Sequence, residues 1–210
     1  MDKPATLFSL AGERALVTGA SRGIGAAIAD LLGQAGATVI GTATTAEGAA
    51  AITARFQSQG ITGRGLVLDA SQASAVSAVE ADISAKEGAI TILVNNAGIT
   101  RDNLLMRMKE EEWQAVIDTN LNGTWYMMQS AARRWRDHGM PGSIVNIVAN
   151  VWRGMPQVAH TCAARAGVIY LSKTLATEWA PFNVRVNCVS PGSVATEGFN
   201  VYPDGVADSF

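Results

Sequence analysis

The residues that most plainly announce chemistry stand near the start of the chain, in Thr18-Gly19-Ala20-Ser21-Arg22-Gly23-Ile24-Gly25. Glycines spaced GxxxGxG permit a tight turn, close approach of a pyrophosphate to bare backbone, and close packing of the next helix on the preceding strand. The Ala-rich stretch that follows reads as a helix, whose first N–H groups and positive dipole end hold phosphate. Gly19, Ser21, Gly23, Ile24 and Gly25 are therefore candidate cofactor contacts, against the plainer reading of a structural turn. Arg22 lies inside the turn, and a guanidinium suits phosphate recognition; a solvated turn residue is its plainer alternative. The second apolar run ends Ile40-Gly41-Thr42-Ala43-Thr44, without a carboxylate. An acidic group there would bind a ribose 2′-hydroxyl and repel a 2′-phosphate, so Thr44 and Arg22 point to NADP(H). Cys162 and Cys188 have no metal-ligand spacing, and no metal site is expected.

The elements that must position these residues are legible as a rhythm. Ala15–Val17, Thr38–Thr42, Gly65–Asp69, Thr91–Asn95, Ser143–Val148 and Val184–Val189 are short, largely apolar runs of the kind buried in a sheet. Between them lie helical stretches such as Gly23–Ala35, Gln72–Glu87 and Glu110–Arg136. The βαβα alternation predicts an α/β fold: a doubly wound parallel sheet in a three-layer α/β/α arrangement, with ligand outside the carboxyl ends of the strands. The 210 residues, with no repeat or linker, fit one domain over 1–210. Hydrophobic residues at 48% against 16% charged exclude a disordered chain, and a net charge of −2 gives no basic field for nucleic acid. MDKPATLF is not a signal peptide, and no apolar run is long enough to span a membrane. A soluble, cytoplasmic protein is expected, its two cysteines buried thiols of a reducing compartment.

With the glycine turn, later motifs resemble the short-chain dehydrogenase/reductase family, in the right order across residues 12–196. Asp69-Ala70 follows the third strand, where the resemblance implies adenine contacts. Asn95-Asn96-Ala97-Gly98 ends the fourth, where the family steadies the sheet and the cofactor ribose. Asn120, in Asp118-Thr119-Asn120-Leu121, matches the helix asparagine that anchors a proton-relay water in the family. Pro191-Gly192-Ser193-Val194-Ala195-Thr196 matches a PGxxxT loop that places Val194 and Thr196 beside the nicotinamide. Residues 12–121 resemble bacterial 3-oxoacyl-acyl-carrier-protein reductases, as in Asn95-Asn-Ala-Gly-Ile-Thr-Arg-Asp-Asn-Leu-Leu-Met-Arg-Met-Lys109. Residues 142–196 are similar instead to trans-2-enoyl-CoA reductases and their bacterial relatives. Either likeness implies an acyl thioester substrate, carried on coenzyme A or an acyl carrier protein. The mosaic is read as a divergent natural member or as a chimera.

The family's proton relay is substituted. Aligned on Ala166-Gly167, the tyrosine position is Thr161, the lysine position Arg165, and the serine position Val148 or Ala149. Thr161, Arg165 and Asn120 are the catalytic candidates. A threonine hydroxyl is far less acidic than a phenol, and a guanidinium holds its proton at any accessible pH. Tyr170 and Lys173 do not replace the pair: at about 100° per residue Tyr170 lies roughly opposite Thr161 on a helix. Three readings follow: a 3-oxoacyl thioester reductase, a 2-enoyl thioester reductase, or a dinucleotide-binding protein with impaired catalysis.

Single residues are weighed the same way. His160 reads as a buried structural histidine before it reads as an acid. Trp113, Trp125, Trp135 and Trp179 read as packing residues, while Trp152 and Met155 are candidates for an acyl pocket. Arg133, Arg134 and Arg136 complement a helix end or dock an acidic carrier protein. The resemblance further implies residues beyond Val201–Phe210 that supply a seventh, edge strand and one dimer surface. Without them the sixth strand is left as an exposed apolar edge, and homo-oligomerisation is an open expectation.

Overall fold

The computed structural model of the chain describes residues 8–197, so the expectations for the N-terminal leader and for 201–210 lie largely outside the described residues. Six strands form one sheet: β1 (Arg14–Val17), β2 (Thr38–Ala43), β3 (Gly63–Val67), β4 (Ile92–Asn95), β5 (Gly142–Ile147) and β6 (Val184–Val189). All pair in parallel, in the order β3-β2-β1-β4-β5-β6. The order reverses between β1 and β4, where Val17 pairs with Gly41 on one side and Val94 on the other. A crevice therefore opens at the carboxyl ends of those two strands.

Burial on both faces explains the near-continuous apolar strands: Ala15, Leu16, Val17, Val39 and Ile40 are all buried. Helices α1 (Gly23–Gln34) and α2 (Ala46–Ser58) cover one face through Ala29, Ile52 and Phe56. The other face packs under α3 (Ala73–Lys86), α5 (Gly123–Asp137) and α6 (Ala159–Trp179), through Ile83, Met128, Trp135 and Leu175. Trp135 is fully buried and its indole Nε1 donates to the Ile90 carbonyl at 2.5 Å. Gly142 makes room for that indole, since a Cβ there would lie 2.1 Å from the ring.

Departures from the sequence expectations have physical causes. The helix expected over Glu110–Arg136 is divided into α4 (Glu110–Ile117), a π-helical turn (Asp118–Asn122) and α5. Two ties accompany the break: the buried Asn120 side chain bonds the loop after β4, and Gly123 packs so closely that a Cβ would lie 2.9 Å from the Ala70 carbonyl. β3 begins earlier than its apolar run, because Arg64 sends its charge out to Asp82 and Glu87 while its backbone pairs with Ile40. β6 pairs with β5 alone among the described residues, yet it is not uniformly apolar. Val184 and Val186 are buried while Arg185 and Asn187 face outward, so period-two alternation blunts the edge. Cys162 and Cys188 are free and half-buried, where burial was expected. No helix among the described residues is long and apolar enough to cross a membrane.

Candidate active site

The glycine turn is held by its neighbours before any ligand is considered. Gly19 takes φ +65°, and a Cβ there would also press on Ala97 at 3.0 Å. Gly25 leaves no room at all, as a Cβ would lie 2.2 Å from the Gly19 carbonyl oxygen. Thr18 is buried just ahead of the turn, and its Oγ1 accepts the N–H groups of Asn96 and Ala97, each at 3.0 Å. The Asn96 amide donates back to the carbonyls of Thr18 and Gly19, again at 3.0 Å. Asn96 thus braces the turn from β4, so its side chain acts on a ligand through the backbone it holds. Thr18 was missed in the sequence because a threonine at the end of an apolar run has no distinguishing period.

Above the turn lies a cleft of about 640 Å³. It gathers residues from four strand ends: Gly19, Ser21, Arg22, Gly23, Ile24 and Gly25 after β1, Thr44 after β2, Asp69 and Ala70 after β3, and Asn96, Ala97 and Gly98 after β4. Thr196 closes it from the loop after β6, whereas Val194 lines an adjoining groove along α1 with Leu31. Thr42, Leu68, Ile99 and Thr119 also line the cleft, and their apolar or neutral side chains carried no signal in the sequence. Asp69 is itself tied into a turn, its Oδ1 accepting Ser71 N–H at 3.0 Å and Ser71 Oγ at 2.7 Å.

The electrostatics suit a dinucleotide. Arg22 is the N-cap of α1 with extended backbone (φ −156°), no side chain caps the helix, and its first turn holds no acid. The positive end of α1 is left to a ligand, with an exposed guanidinium beside it. The bare backbone at Gly19 and Gly25 is the cradle a pyrophosphate needs. The residues present fit the cofactor.

Asn120, Thr161 and Arg165 do not line the cleft; Asn120 bonds Ile99 and Arg165 Nη2 approaches Gly98, both residues of its wall. Asn120 is fully buried; its Oδ1 accepts Ile99 N–H and its Nδ2 donates to Ile99 O, both at 2.9 Å. That side chain positions the loop after β4, using one of its two amide hydrogens to do so. Thr161 sits in the first turn of α6, with its hydroxyl 3.4 Å from His160 Nδ1. His160 is fully buried between two backbone groups: Nδ1 accepts Thr161 N–H at 2.8 Å, and Nε2 donates to Arg101 O at 2.8 Å. Those contacts clamp the 99–103 loop to α6. Arg165 follows Thr161 by one turn and donates from Nη1 to Ile147 O at 2.9 Å. Burial pulls its pKa down.

Val148 is buried and Ala149 half-buried at the serine position. Tyr170 and Lys173 pair with each other on the outer side of α6, where Tyr170 is 62% exposed. Trp152 and Met155 are both exposed and line neither the cleft nor the groove. Among the basic cluster, Arg134 pairs with Glu80 and Arg136 with Asp137, while Arg133 borders a separate groove between α3 and α5. No group of side chains among the described residues is arranged to hold a metal ion.

Comparison with known proteins agrees with this geometry. The chain is 49% identical over 192 residues to the 3-oxoacyl-[acyl-carrier-protein] reductase of Vibrio harveyi, covering 90% of this chain and 77% of that protein. Its identity to the Escherichia coli K12 protein of the same name is 46% over 188 residues, covering 89% and 75%. A gluconate 5-dehydrogenase from Burkholderia cenocepacia J2315, solved in complex with NADP and tartrate, superimposes with a TM-score of 0.90 at 33% identity, covering 98% and 80%. A short-chain type dehydrogenase/reductase from Mycobacterium marinum gives 0.84 at 35% identity, covering 89% and 76%. The short chain dehydrogenase family model matches residues 13–205, and with these identities the chain belongs to that family.

Proposed function

We propose that the chain is an NADPH-dependent reductase of acyl thioesters, of the 3-oxoacyl type. The observation that carries this reading is the uncapped α1 with Arg22 at its start, above a β2 end free of carboxylate. Gly19, Ser21, Gly23, Ile24 and Gly25 would hold the pyrophosphate, and Arg22 with Thr44 the 2′-phosphate. Asp69 and Ala70 would flank the adenine, Asn96, Ala97 and Gly98 the ribose, and Val194 and Thr196 the nicotinamide. When bound, the cofactor supplies a hydride. The substrate class is supported by the names of the similar proteins, which act on acyl-carrier-protein thioesters.

What the chain itself contributes to the chemistry is a hydroxyl at Thr161 and a fixed positive charge at Arg165. The hydroxyl lacks a phenol's acidity, so carbonyl reduction is expected to be slow. Following NADPH oxidation with acetoacetyl-CoA, alongside NADPH-binding measurements, tests the reading. Saturable turnover supports it. Tight NADPH binding with no turnover of any thioester replaces it with a nucleotide-binding protein.

A further inference from the structure

Arg165 differs from the ion-paired arginines of the fold. Arg55, Arg64, Arg134 and Arg136 each have a carboxylate within 3.3 Å. Arg165 has none among the described residues, and its recorded bond is the one from Nη1 to the Ile147 carbonyl. Its Nη2 points the other way, toward Gly98 in the cleft wall, where a Cβ would lie 2.4 Å from it. The same point is 3.1 Å from Asn120 Oδ1, which is itself committed to Ile99. Glycine at 98 therefore lets the guanidinium lie directly behind the cleft wall, which it does not itself line. Arg165 is half-buried, and the desolvation it suffers opposes its charged form. A guanidinium so placed, with no carboxylate recorded beside it, is available to an anion. The cofactor's phosphates belong at the opposite end of the cleft, over the glycine turn, so the anion at Arg165 is one that arises on the substrate.

Resting on the thioester reading above, we propose that Arg165 is an oxyanion receptor for a thioester enolate, and that the site also reduces α,β-unsaturated acyl thioesters. The chemistry distinguishes the two substrates. A guanidinium stabilises negative charge but does not surrender its proton. Hydride addition to a ketone makes a strongly basic alkoxide that needs an acid at hand, and the phenol of the family is replaced here by Thr161. Hydride addition to the β-carbon of a 2-enoyl thioester instead moves the π pair toward the thioester oxygen. The resulting enolate is far less basic; held by Arg165, it takes a proton from water at the α-carbon. The C=C bond is reduced, the dihydronicotinamide is oxidised, and the hydroxide left by that water is neutralised in solvent.

The test uses acetoacetyl-CoA as a probe of the receptor without turnover, by binding it to the protein in complex with NADP+. The enolate of a β-keto thioester has its own near-ultraviolet absorption, so its formation is read directly against pH. Bound to the unaltered protein, the probe should enolise at least about one pH unit lower than when free, a ten-fold gain in acidity. Arg165→Met should abolish that shift, and Arg165→Lys, which keeps charge but loses the planar fork, should keep part of it. In parallel, crotonyl-CoA should be reduced by NADPH with saturable kinetics. Arg165→Met should lower kcat/KM for crotonyl-CoA about 100-fold or more, as for loss of an oxyanion donor. Bound acetoacetyl-CoA that enolises identically in the unaltered and Arg165→Met proteins overturns the proposal while leaving the thioester reading intact. Failure of the thioester to bind at all overturns both.

Discussion

Arg22 caps α1 with its backbone alone, which leaves its guanidinium over the cleft where a 2′-phosphate would sit. NADPH should therefore bind at least about ten-fold tighter than NADH, a difference near 1.4 kcal/mol and modest for a charge-assisted phosphate contact. Arg22→Ala should remove most of that difference; equal affinities for the two nucleotides in the unaltered protein would contradict the assignment. The relay positions make a second residue-scale prediction. Thr161→Tyr with Arg165→Lys and Ala149→Ser supplies a phenol, a lysine one turn on and a hydroxyl, and should raise 3-oxoacyl turnover at least about ten-fold. A phenol in place of a half-buried threonine can cost about 1–3 kcal/mol of overpacking, so melting is measured before any rate is compared. A folded, NADPH-binding triple variant with unchanged turnover would show that the relay does not limit the reaction.

At the scale of elements, the start of α1 is tied to the end of β4, because Asn96 fastens the turn and Gly25 lets helix and strand touch. Gly25→Ala places a methyl against the Gly19 carbonyl and should cost NADPH affinity more than ten-fold. The chain should still fold, because most of the core lies elsewhere; fluorescence titration with circular dichroism separates the two effects. The contact of α3 with α5 predicts a pH dependence. Glu80 is buried there, bonded to Ser130 and Arg134, and desolvation raises its carboxyl pKa against the opposing pull of Arg134. The folded state then binds more protons than the unfolded one above the ordinary carboxylate pKa of about 4.3. This group's contribution is complete below that value and is lost as pH rises through the raised folded pKa. Relative to the unaltered protein, Glu80→Gln should gain in Tm as pH goes from about 4 to 7; a constant difference would refute the burial argument.

For the whole molecule, two apolar layers on either side of one sheet set the stability, and Trp135 is the largest side chain sealed in them. Trp135→Ala leaves a cavity beside Gly142 and an unpaired Ile90 carbonyl, and should cost about 3–5 kcal/mol in chemical denaturation. A loss below about 1 kcal/mol would mean that the β5 end of the sheet relaxes into the space. The parallel α/β fold and the glycine turn were legible from residue order, because short apolar strands, glycine spacing and helix starts are local properties of the chain. So was the carboxylate-free end of β2, which is a matter of residue identity. The π turn was not legible, since the helical period runs through it and only packing of Asn120 on Ile99 and of Gly123 on Ala70 accompanies the break. The role of Thr18, the clamp at His160 and the buried Asn95–Asn146–Ser172 bonds were likewise decided by tertiary structure. Each depends on groups far apart in sequence meeting where water is excluded, and no local pattern records which partner a buried polar atom will find.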